Sequence, residues 1–343
     1  MDPETAVYEA MFKEGLRRCM ADESPTDLRQ WMQAELDRLG GGGDEGAAMT
    51  WLESFEYTDA MLAEYARLAS IPPAERQQLT WPWSSWNRKI DVMEPGMLAA
   101  ITAPDGQGKT IYAESIIEHW ARHGHKTVFV HYELNRRLMM LRRLSRHASV
   151  TSREIKEWSL TSEQRADVQR VRPLLESWEG CITYLHTPDW TMERTIAELR
   201  KLRDEGRCDV VVLDYLEKVS VSTRQLKMFG TNLYQREADN VEQLKNFAES
   251  SETPVVMIAQ MNKAGKQTSF KDLDRTDIRG AGEKSDKANL VVLLHRERID
   301  GEPSNYVDIM IDKQTMGQTG TLRQYMQPQY FRVADTADPY GRE

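Results

Sequence analysis

One short stretch of the sequence contains the residue types that bind a polyphosphate. In AAITAPDGQGKT, which ends at Thr110, two glycines (Gly106 and Gly108) precede Lys109. Glycines let the main chain approach phosphate oxygens closely, so that several backbone N–H groups can bind them. The lysine would reach the β- and γ-phosphates, and the threonine hydroxyl would hold Mg²⁺. The residues predicted to contact the nucleotide are Ala103, Pro104, Asp105, Gly106, Gln107, Gly108, Lys109, Thr110 and Ile111.

The surroundings of this stretch have the order strand, loop, helix. An apolar run at 97–101 precedes the loop, and IYAESIIEHWARHG at 111–124 follows it with helical spacing. The first glycine of the GxxxxGK[ST] pattern is replaced by Ala103, so a glycine-rich turn that only caps a helix stays an alternative. The order indicates a nucleoside triphosphate site at a helix amino terminus, where the helix dipole favours negative charge.

Three polar residues come directly after apolar runs elsewhere in the chain. Asp214 follows DVVVL, Glu133 follows KTVFVHY, and Gln260 follows VVMIA. The aspartate would bind Mg²⁺ directly or through water, and the glutamate would orient and deprotonate the attacking water. The glutamine would sense the γ-phosphate through a hydrogen bond. Each of the three side chains could instead cap a turn or a helix.

The apolar runs also predict the fold class. Near-continuous apolar runs separated by helical patterns are typical of a parallel sheet that is covered on both faces. Chemistry in such an α/β fold collects at the carboxyl ends of the strands, where the three polar residues are expected. The runs lie at 126–132, 181–186, 209–213, 255–259, 290–295 and 307–312.

The first 80 residues predict a small helical region. Apolar residues recur with helical spacing over 5–38 and 47–70, and Gly40–Gly43 separates the two patterns as a flexible linker. The region could be an arm that docks on a neighbouring subunit, or a helical layer on its own chain. The main domain is expected over 81–343, and it begins with three tryptophans in WPWSSW, which are typical of packing rather than of base stacking.

Composition bounds the class of protein. The chain has 343 residues, of which 40% are hydrophobic and 29% charged, as in a globular protein. It has neither an apolar run near 18 residues nor a charged-then-apolar leader, so we expect a cytoplasmic protein without a membrane span. Three widely spaced cysteines suit a reducing compartment and offer neither a disulfide framework nor a zinc cluster.

Charge is distributed unevenly along the chain. The net charge is −9, and residues 1–90 hold 16 acidic and 9 basic side chains, so any contact with DNA needs local basic loops in the later part. Arg224 and Lys227 could form one such loop. A second basic cluster lies within residues 263–284, and it could contact DNA or could be only a solvated loop of mixed charge. That cluster contains Lys263, Lys266, Lys271, Arg275, Arg279 and Lys284.

Five blocks together resemble a known family. They are 97–150, DVVVLDYLEKV at 209–219, IAQMNK at 258–263, 277–297 and DKQTMGQTGT at 312–321. In order and spacing they resemble the RecA-type motor domain of DnaB-type replicative helicases, especially the phage and mitochondrial members. The resemblance covers about residues 82–333. An alanine at the position of Ala103 is usual in that family.

The resemblance implies a six-membered ring that moves along single-stranded DNA and hydrolyses ATP with Mg²⁺ between its subunits. Such rings work with a primase or a helicase loader. By position, the implied phosphate-loop pair is Lys109 and Thr110, the catalytic glutamate is Glu133, the Mg²⁺ aspartate is Asp214, and the polar switch is Gln260. The implied central-channel loop contains Arg279, Gly280 and Gly282, and we add Lys263, Lys266 and Arg224 as predicted DNA contacts.

One position departs from the family. The family's KQR element sends a lysine and an arginine to the nucleotide of the neighbouring subunit, whereas this chain has Lys313, Gln314 and Thr315 there. Threonine carries no charge and cannot form a bidentate pair. Lys313 could suffice, Arg323 or Arg298 could supply the charge, or hydrolysis could be slow. Two other functions stay open: a RecA-like recombinase or mediator, and a regulatory assembly ATPase that binds a protein.

Overall fold

The computed structural model of the chain describes residues 51–72, 76–133, 135–260, 286–299 and 301–335, together with the single residues 14, 17, 18 and 31. The chain divides into two compact units, 1–76 and 77–343. The predicted helices over 5–38, apart from these single residues, and the predicted linker at Gly40–Gly43 lie outside the described residues.

The first unit contains helix α1, Trp51–Ser70, which confirms the predicted helical pattern from residue 51 to 70, while 47–50 lie outside the described residues. Among the side chains of this helix that the structure describes, four large apolar ones are exposed, with Tyr57 and Leu62 more than half accessible. They recur at the spacing of a single helical face. The four are Tyr57, Met61, Leu62 and Tyr65.

Helices and strands alternate along most of the second unit. The helices are α2 (Ser84–Asn87), α3 (Lys109–Arg122), α4 (Arg136–Ala148), α5 (Ser152–Glu157), α6 (Ser162–Glu179), α7 (Met192–Asp204), α8 (Thr223–Phe229) and α9 (Leu233–Ser250). The strands are β1 (Leu98–Ala103), β2 (Thr127–His131), β3 (Ile182–His186), β4 (Val210–Asp214), β5 (Val255–Gln260), β6 (Leu290–His295), β7 (Arg298–Ile299), β8 (Glu302–Pro303), β9 (Tyr306–Gln314), β10 (Gly320–Gln327) and β11 (Arg332–Ala334).

Nine of these strands form one sheet in the order β11-β10-β9-β6-β1-β5-β4-β2-β3. The six strands from β6 to β3 are parallel, and β1 and β4 are buried along their whole length. The mostly parallel α/β sheet predicted from the apolar runs is therefore confirmed. Parallel pairing aligns the carboxyl ends of these strands at one edge, with Ala103 beside Gln260 and His131 beside Asp214.

The last three strands extend this sheet with antiparallel pairing. The run predicted at 307–312 lies in β9, which pairs antiparallel with β6 and with β10. A parallel neighbour would need a crossover of a dozen or more residues, whereas only the short hairpin β7–β8 joins β6 to β9. The connection is too short for a crossover, so β9 runs in the opposite direction.

Aromatic side chains fasten this antiparallel part to helix α3. Trp83 and Trp86 are buried, and their rings lie 4.9 Å and 5.9 Å from the ring of Tyr112. The Trp86 Nε1–H and the Tyr112 hydroxyl both donate to Oε1 of Gln324 on β10, at 3.2 Å and 3.0 Å. The tryptophan-rich segment therefore packs in the core, which confirms the predicted packing role, and it fixes the start of α3 relative to β10.

Candidate functional site

The phosphate-loop residues lie between β1, which ends at Ala103, and α3, which begins at Lys109. Gly108 is the N-cap of α3 with φ +94° and Gly106 has φ +75°, conformations that residues with a Cβ rarely adopt. A Cβ at Gly108 would also collide with the side chain of Met326. The backbone conformation therefore favours glycine at this point of the loop, and a larger residue would also displace the end of the Met326 side chain.

Lys109 folds back against the beginning of the loop. Its buried side chain donates from Nζ to the carbonyl oxygens of Ala103 and Pro104, at 2.8 Å and 3.1 Å, and lies 3.9 Å from a carboxylate oxygen of Asp105. The side chain of Gln107 accepts from the backbone N–H of Arg296 at 2.5 Å, so the segment directly after β6 also supports the loop. Phosphate oxygens of a bound nucleotide could replace these two carbonyl oxygens as acceptors for the Lys109 ammonium.

Asp214 at the end of β4 and Thr110 at the start of α3 are the two residues predicted to hold Mg²⁺. The Asp214 carboxylate is 6% exposed, and the Thr110 hydroxyl is close enough to lower its pKa. Burial raises the pKa of Asp214 to about 6, and Glu114 adds to this, against the hydrogen bond from Thr110 and the charge of Arg142. Among the residues that the structure describes, its Oδ1 has no hydrogen-bond partner. A buried carboxylate oxygen without a partner, beside a hydroxyl, fits the oxygen ligands that Mg²⁺ takes.

Glu133 follows β2 and is exposed. The Tyr215 hydroxyl donates to its Oε1 at 2.8 Å, and Lys218 Nζ lies 3.0 Å from the same oxygen. Burial raises the pKa of Glu133, but the hydrogen bonds from Lys218 and Tyr215 outweigh it, so that the pKa is lowered overall. Sequence reasoning missed both partners. Their signal is position alone, since they lie one and four residues after Asp214.

Gln260 ends β5 directly beside Ala103, and its backbone N–H donates to Oε1 of Glu217 at 2.9 Å. Glu217 belongs to the same turn that carries Tyr215 and Lys218. The carboxyl edge of the sheet thus brings together five predicted site residues, and their nucleotide, metal and catalytic roles remain predictions. The five are Lys109, Thr110, Glu133, Asp214 and Gln260.

Helix α4, which follows Glu133, is joined to helix α3 by buried ion pairs. Oε1 of Glu118 lies 2.9 Å from Arg146 and 3.3 Å from Arg143, and its Oε2 lies 2.8 Å from His147. Arg146 also pairs with Glu114, which lies 3.1 Å from Arg142. Burial raises the pKa of Glu118, but the charges of Arg146 and His147 hold it well below its usual range. We call these residues the α3–α4 ion cluster.

Lys313 and Thr315 lie at the other edge of the sheet. Lys313 is beside Val291, near the amino end of β6, and its Nζ donates to the carbonyl oxygen of Asp286 at 2.7 Å. Thr315 donates from its hydroxyl to the carbonyl oxygen of Asn289 at 3.1 Å. Lys313 is therefore not brought to Lys109 of its own chain. Of the two other basic candidates, Arg323 pairs with Asp308 at 2.6 Å, and Arg298 donates to Gly301 within the β7–β8 hairpin.

The predicted DNA contacts are described only in part. Arg224 lies on α8, where its guanidinium pairs with Glu193 at 3.1 Å and with Asp239. Lys227 is exposed on the same helix. That Arg224 contacts DNA remains a prediction. Five others lie outside the described residues: Lys263, Lys266, Arg279, Gly280 and Gly282.

None of the helices that the structure describes is both long enough and apolar enough to cross a bilayer.

Two solved structures share this fold. The ATPase domain of G40P aligns with a TM-score of 0.69 and 17% sequence identity over 81% of this chain and 98% of that one. A DnaB-like replicative helicase, solved in a study of its interactions with primase, aligns with a TM-score of 0.72 and 14% identity over 96% of this chain and 75% of that one. Both likenesses support a RecA-type fold.

Sequence comparison points to the same family. The replicative DNA helicase DnaB of Leifsonia xyli subsp. xyli is 25% identical over 252 residues, which are 71% of this chain and 53% of that protein. The DnaB of Geobacillus stearothermophilus is 25% identical over 68% of this chain and 52% of its own length. The chain thus spans about half the length of these curated relatives. Residues 83–335 match the DnaB-like helicase C-terminal domain, and the chain belongs to that family.

Proposed function

We propose that this chain is an ATP-dependent DNA helicase motor that forms a ring and moves along single-stranded DNA. The observation that carries the proposal is the meeting of Lys109, Thr110, Asp214, Glu133 and Gln260 at one edge of the sheet in a chain of the DnaB-like family. The resemblance of its sequence blocks to phage and mitochondrial members supports a narrower proposal, the replicative helicase of a phage or a mobile element.

The chain's own residues divide the work of hydrolysis. The loop at 103–108 and Lys109 bind the phosphates through backbone N–H groups and one ammonium. Thr110 and Asp214 would hold Mg²⁺, which supplies Lewis-acid stabilisation of the phosphate charge. Glu133 orients the attacking water and takes its proton. Gln260, beside Ala103, contacts the γ-phosphate and reports its loss to β5.

The opposite edge of the sheet supplies a second subunit's contribution. Lys313 lies far along the strands from its own phosphate loop, so in a ring it would reach the nucleotide of a neighbour. One ammonium can neutralise transition-state charge there, although it lacks the fork of an arginine. A homohexamer with the nucleotide between subunits makes use of both edges, which agrees with the family.

The remaining partners follow from charge and from the family. The basic residues over 263–284 suit phosphate contacts in the centre of the ring. A similar solved helicase was studied with primase, so we propose a primase or a helicase loader as a protein partner of this chain. The expected place of action is the cytoplasm.

One observation favours a second function. Thr315 at the family's arginine position would suit an assembly ATPase that hydrolyses slowly and binds a protein. The basic cluster over 263–284 favours the helicase instead. A RecA-like recombinase would share the same nucleotide site, and only its action on a forked duplex separates it from a helicase.

The test is ATP hydrolysis by the full chain at fixed salt, with and without single-stranded DNA. We expect strong stimulation by DNA, and we expect Lys109→Ala to reduce turnover by at least about 100-fold, because the β- and γ-phosphates lose their ammonium. Unwinding of a forked duplex by the wild type and not by the variant would support the helicase over the recombinase. Full unwinding by Lys109→Ala would contradict the proposal, and so would a wild-type turnover that single-stranded DNA does not change.

A further inference from the structure

The exposed carboxylate of Glu133 is engaged by two donors that the nucleotide chemistry does not require. Both the Tyr215 hydroxyl and Lys218 Nζ contact the same oxygen, Oε1, at 2.8 Å and 3.0 Å. A base that activates water needs a carboxylate oxygen turned toward that water. A carboxylate held by a hydroxyl and an ammonium is also a weaker proton acceptor. The observed contacts therefore occupy one carboxylate oxygen of Glu133 and weaken the carboxylate as a proton acceptor.

The two donors belong to one turn, which is held in place by buried side chains and by a hydrogen bond to β5. The turn Leu216–Lys218 follows β4 directly, and the side chains of Leu216 and Val219 are buried. Glu217 of this turn accepts from the backbone N–H of Gln260. One short segment thus contacts the predicted base and the predicted γ-phosphate sensor, and it begins beside the predicted metal ligand Asp214.

The contact with Lys218 is weak enough to be released. The side chains of Lys218 and Glu133 are 47% and 50% exposed. Water competes for the charges of an exposed ion pair. Such a pair therefore shifts the equilibrium between the held and the released Glu133 side chain by at most about fivefold. Such a pair would not lock a structure, but it would set the fraction of molecules in which Glu133 is available.

We propose that Tyr215 and Lys218 form a latch that holds Glu133 away from the attacking water until single-stranded DNA binds. The inference rests on the proposed function, in which Glu133 is the base. Four residues separate Lys218 from helix α8, where Lys227 is exposed and Ser222 caps the first turn. When single-stranded DNA binds at α8, the exposed Lys218 ammonium turns from Glu133 toward the DNA phosphates and frees the carboxylate, while the buried side chains keep the turn in place.

The experiment compares turnover of the full chain in Lys218→Met, Tyr215→Phe and the double variant, without DNA and with saturating oligothymidylate. We expect each single variant to raise DNA-free turnover about two- to fivefold, with DNA-saturated turnover and the KM for ATP unchanged. The ratio of the two turnovers falls accordingly. Lys218→Arg keeps the charge and should retain the wild-type ratio.

A matched control comes from another exposed lysine. Lys201 lies 3.8 Å from Glu198 on helix α7, away from the site, and Lys201→Met should leave both turnovers unchanged. Unchanged or reduced DNA-free turnover in Lys218→Met would overturn the latch. Glu133→Gln separates this failure from that of the proposed function. If Glu133→Gln still hydrolyses ATP at the wild-type rate, Glu133 is not the base; if it does not, only the latch is wrong.

Discussion

Ion pairs on two sides of helix α4 differ in their access to water. In the α3–α4 ion cluster, the side chains of Glu118, Arg143 and Arg146 are each less than 10% exposed. Just before the same helix, the Glu133–Lys218 pair is about half exposed on both sides. Charge alone therefore does not tell what an ion pair contributes, because burial decides how strongly water competes with it.

The buried and the exposed ion pairs therefore have different structural roles. The α3–α4 ion cluster fixes α4 against α3, the helix that begins at the phosphate-loop lysine. The exposed pair at Glu133 holds a side chain and not a helix. If Glu133 is the base that we propose, its side chain must change position while its backbone stays in place. A fixed helix α4 and an exposed, weakly held carboxylate would together allow this.

The largest expected effect comes from breaking the buried cluster. Arg146→Met leaves the Glu118 and Glu114 carboxylates in a buried site without their shared partner, and it removes the hydrogen bond from Arg146 to the carbonyl oxygen of Phe331. We expect the free energy of unfolding to fall by about 3 to 5 kcal/mol, measured with urea.

A matched variant tests whether burial is the cause. Arg172 pairs with Glu176 at 2.7 Å on the exposed side of α6, and Arg172→Met should leave the free energy of unfolding unchanged within error. Equal costs for Arg146→Met and Arg172→Met would contradict the comparison between buried and exposed pairs.

A smaller effect of opposite sign is expected at Asp214. Burial raises its pKa to about 6 in the folded chain, above the usual range of an unfolded aspartate. A raised carboxyl pKa means that the folded state binds the proton more tightly, so this group favours folding at low pH and loses that contribution as pH rises through about 6. In Mg²⁺-free buffer at pH 8, Asp214→Asn should therefore stabilise the fold by about 1 to 3 kcal/mol.

The pH dependence provides the check on Asp214. The difference in free energy of unfolding between Asp214→Asn and the wild type should shrink as pH falls from 8 toward 4, because the wild-type carboxyl becomes neutral. The variant should also lose Mg²⁺-dependent hydrolysis. A stabilisation that does not change with pH would have another cause than the buried charge.

Local patterns were sufficient to predict the residues at the carboxyl edge. Gly108 and Lys109 are neighbours in sequence, and Asp214 and Gln260 follow apolar runs that must be strands. Since parallel strands align their carboxyl ends, residues far apart in the chain were expected at one edge, and the structure confirms that position. Their chemical roles remain predictions.

Pairing between distant residues could not be predicted in this way. Glu118 and Arg146 are 28 residues apart, and each is ordinary in an amphipathic helix. Only the crossing of α3 and α4 decides that both are buried. The antiparallel direction of β9 depends on a short hairpin, and the contact of Lys218 with Glu133 depends on which way one turn faces. None of these leaves a periodic signal in the sequence.

The smallest expected effect is that of Lys218→Met on the free energy of unfolding, and its dependence on salt distinguishes the exposed ion pair from the buried cluster. The lowered pKa of Glu133 means that its pair with Lys218 stabilises the fold above the usual range of a glutamate, and that this contribution is lost as pH falls through the lowered value. At neutral pH and low salt, Lys218→Met should lower the free energy of unfolding by less than about 1 kcal/mol, since water screens the pair. In about 1 M salt, where the screening length is about 3 Å, that difference should vanish, whereas the cost of Arg146→Met should persist because ions do not enter the buried cluster. If high salt erased both costs, the α3–α4 ion cluster would be accessible to solvent, and the rigid support proposed for Glu133 would be lost with it.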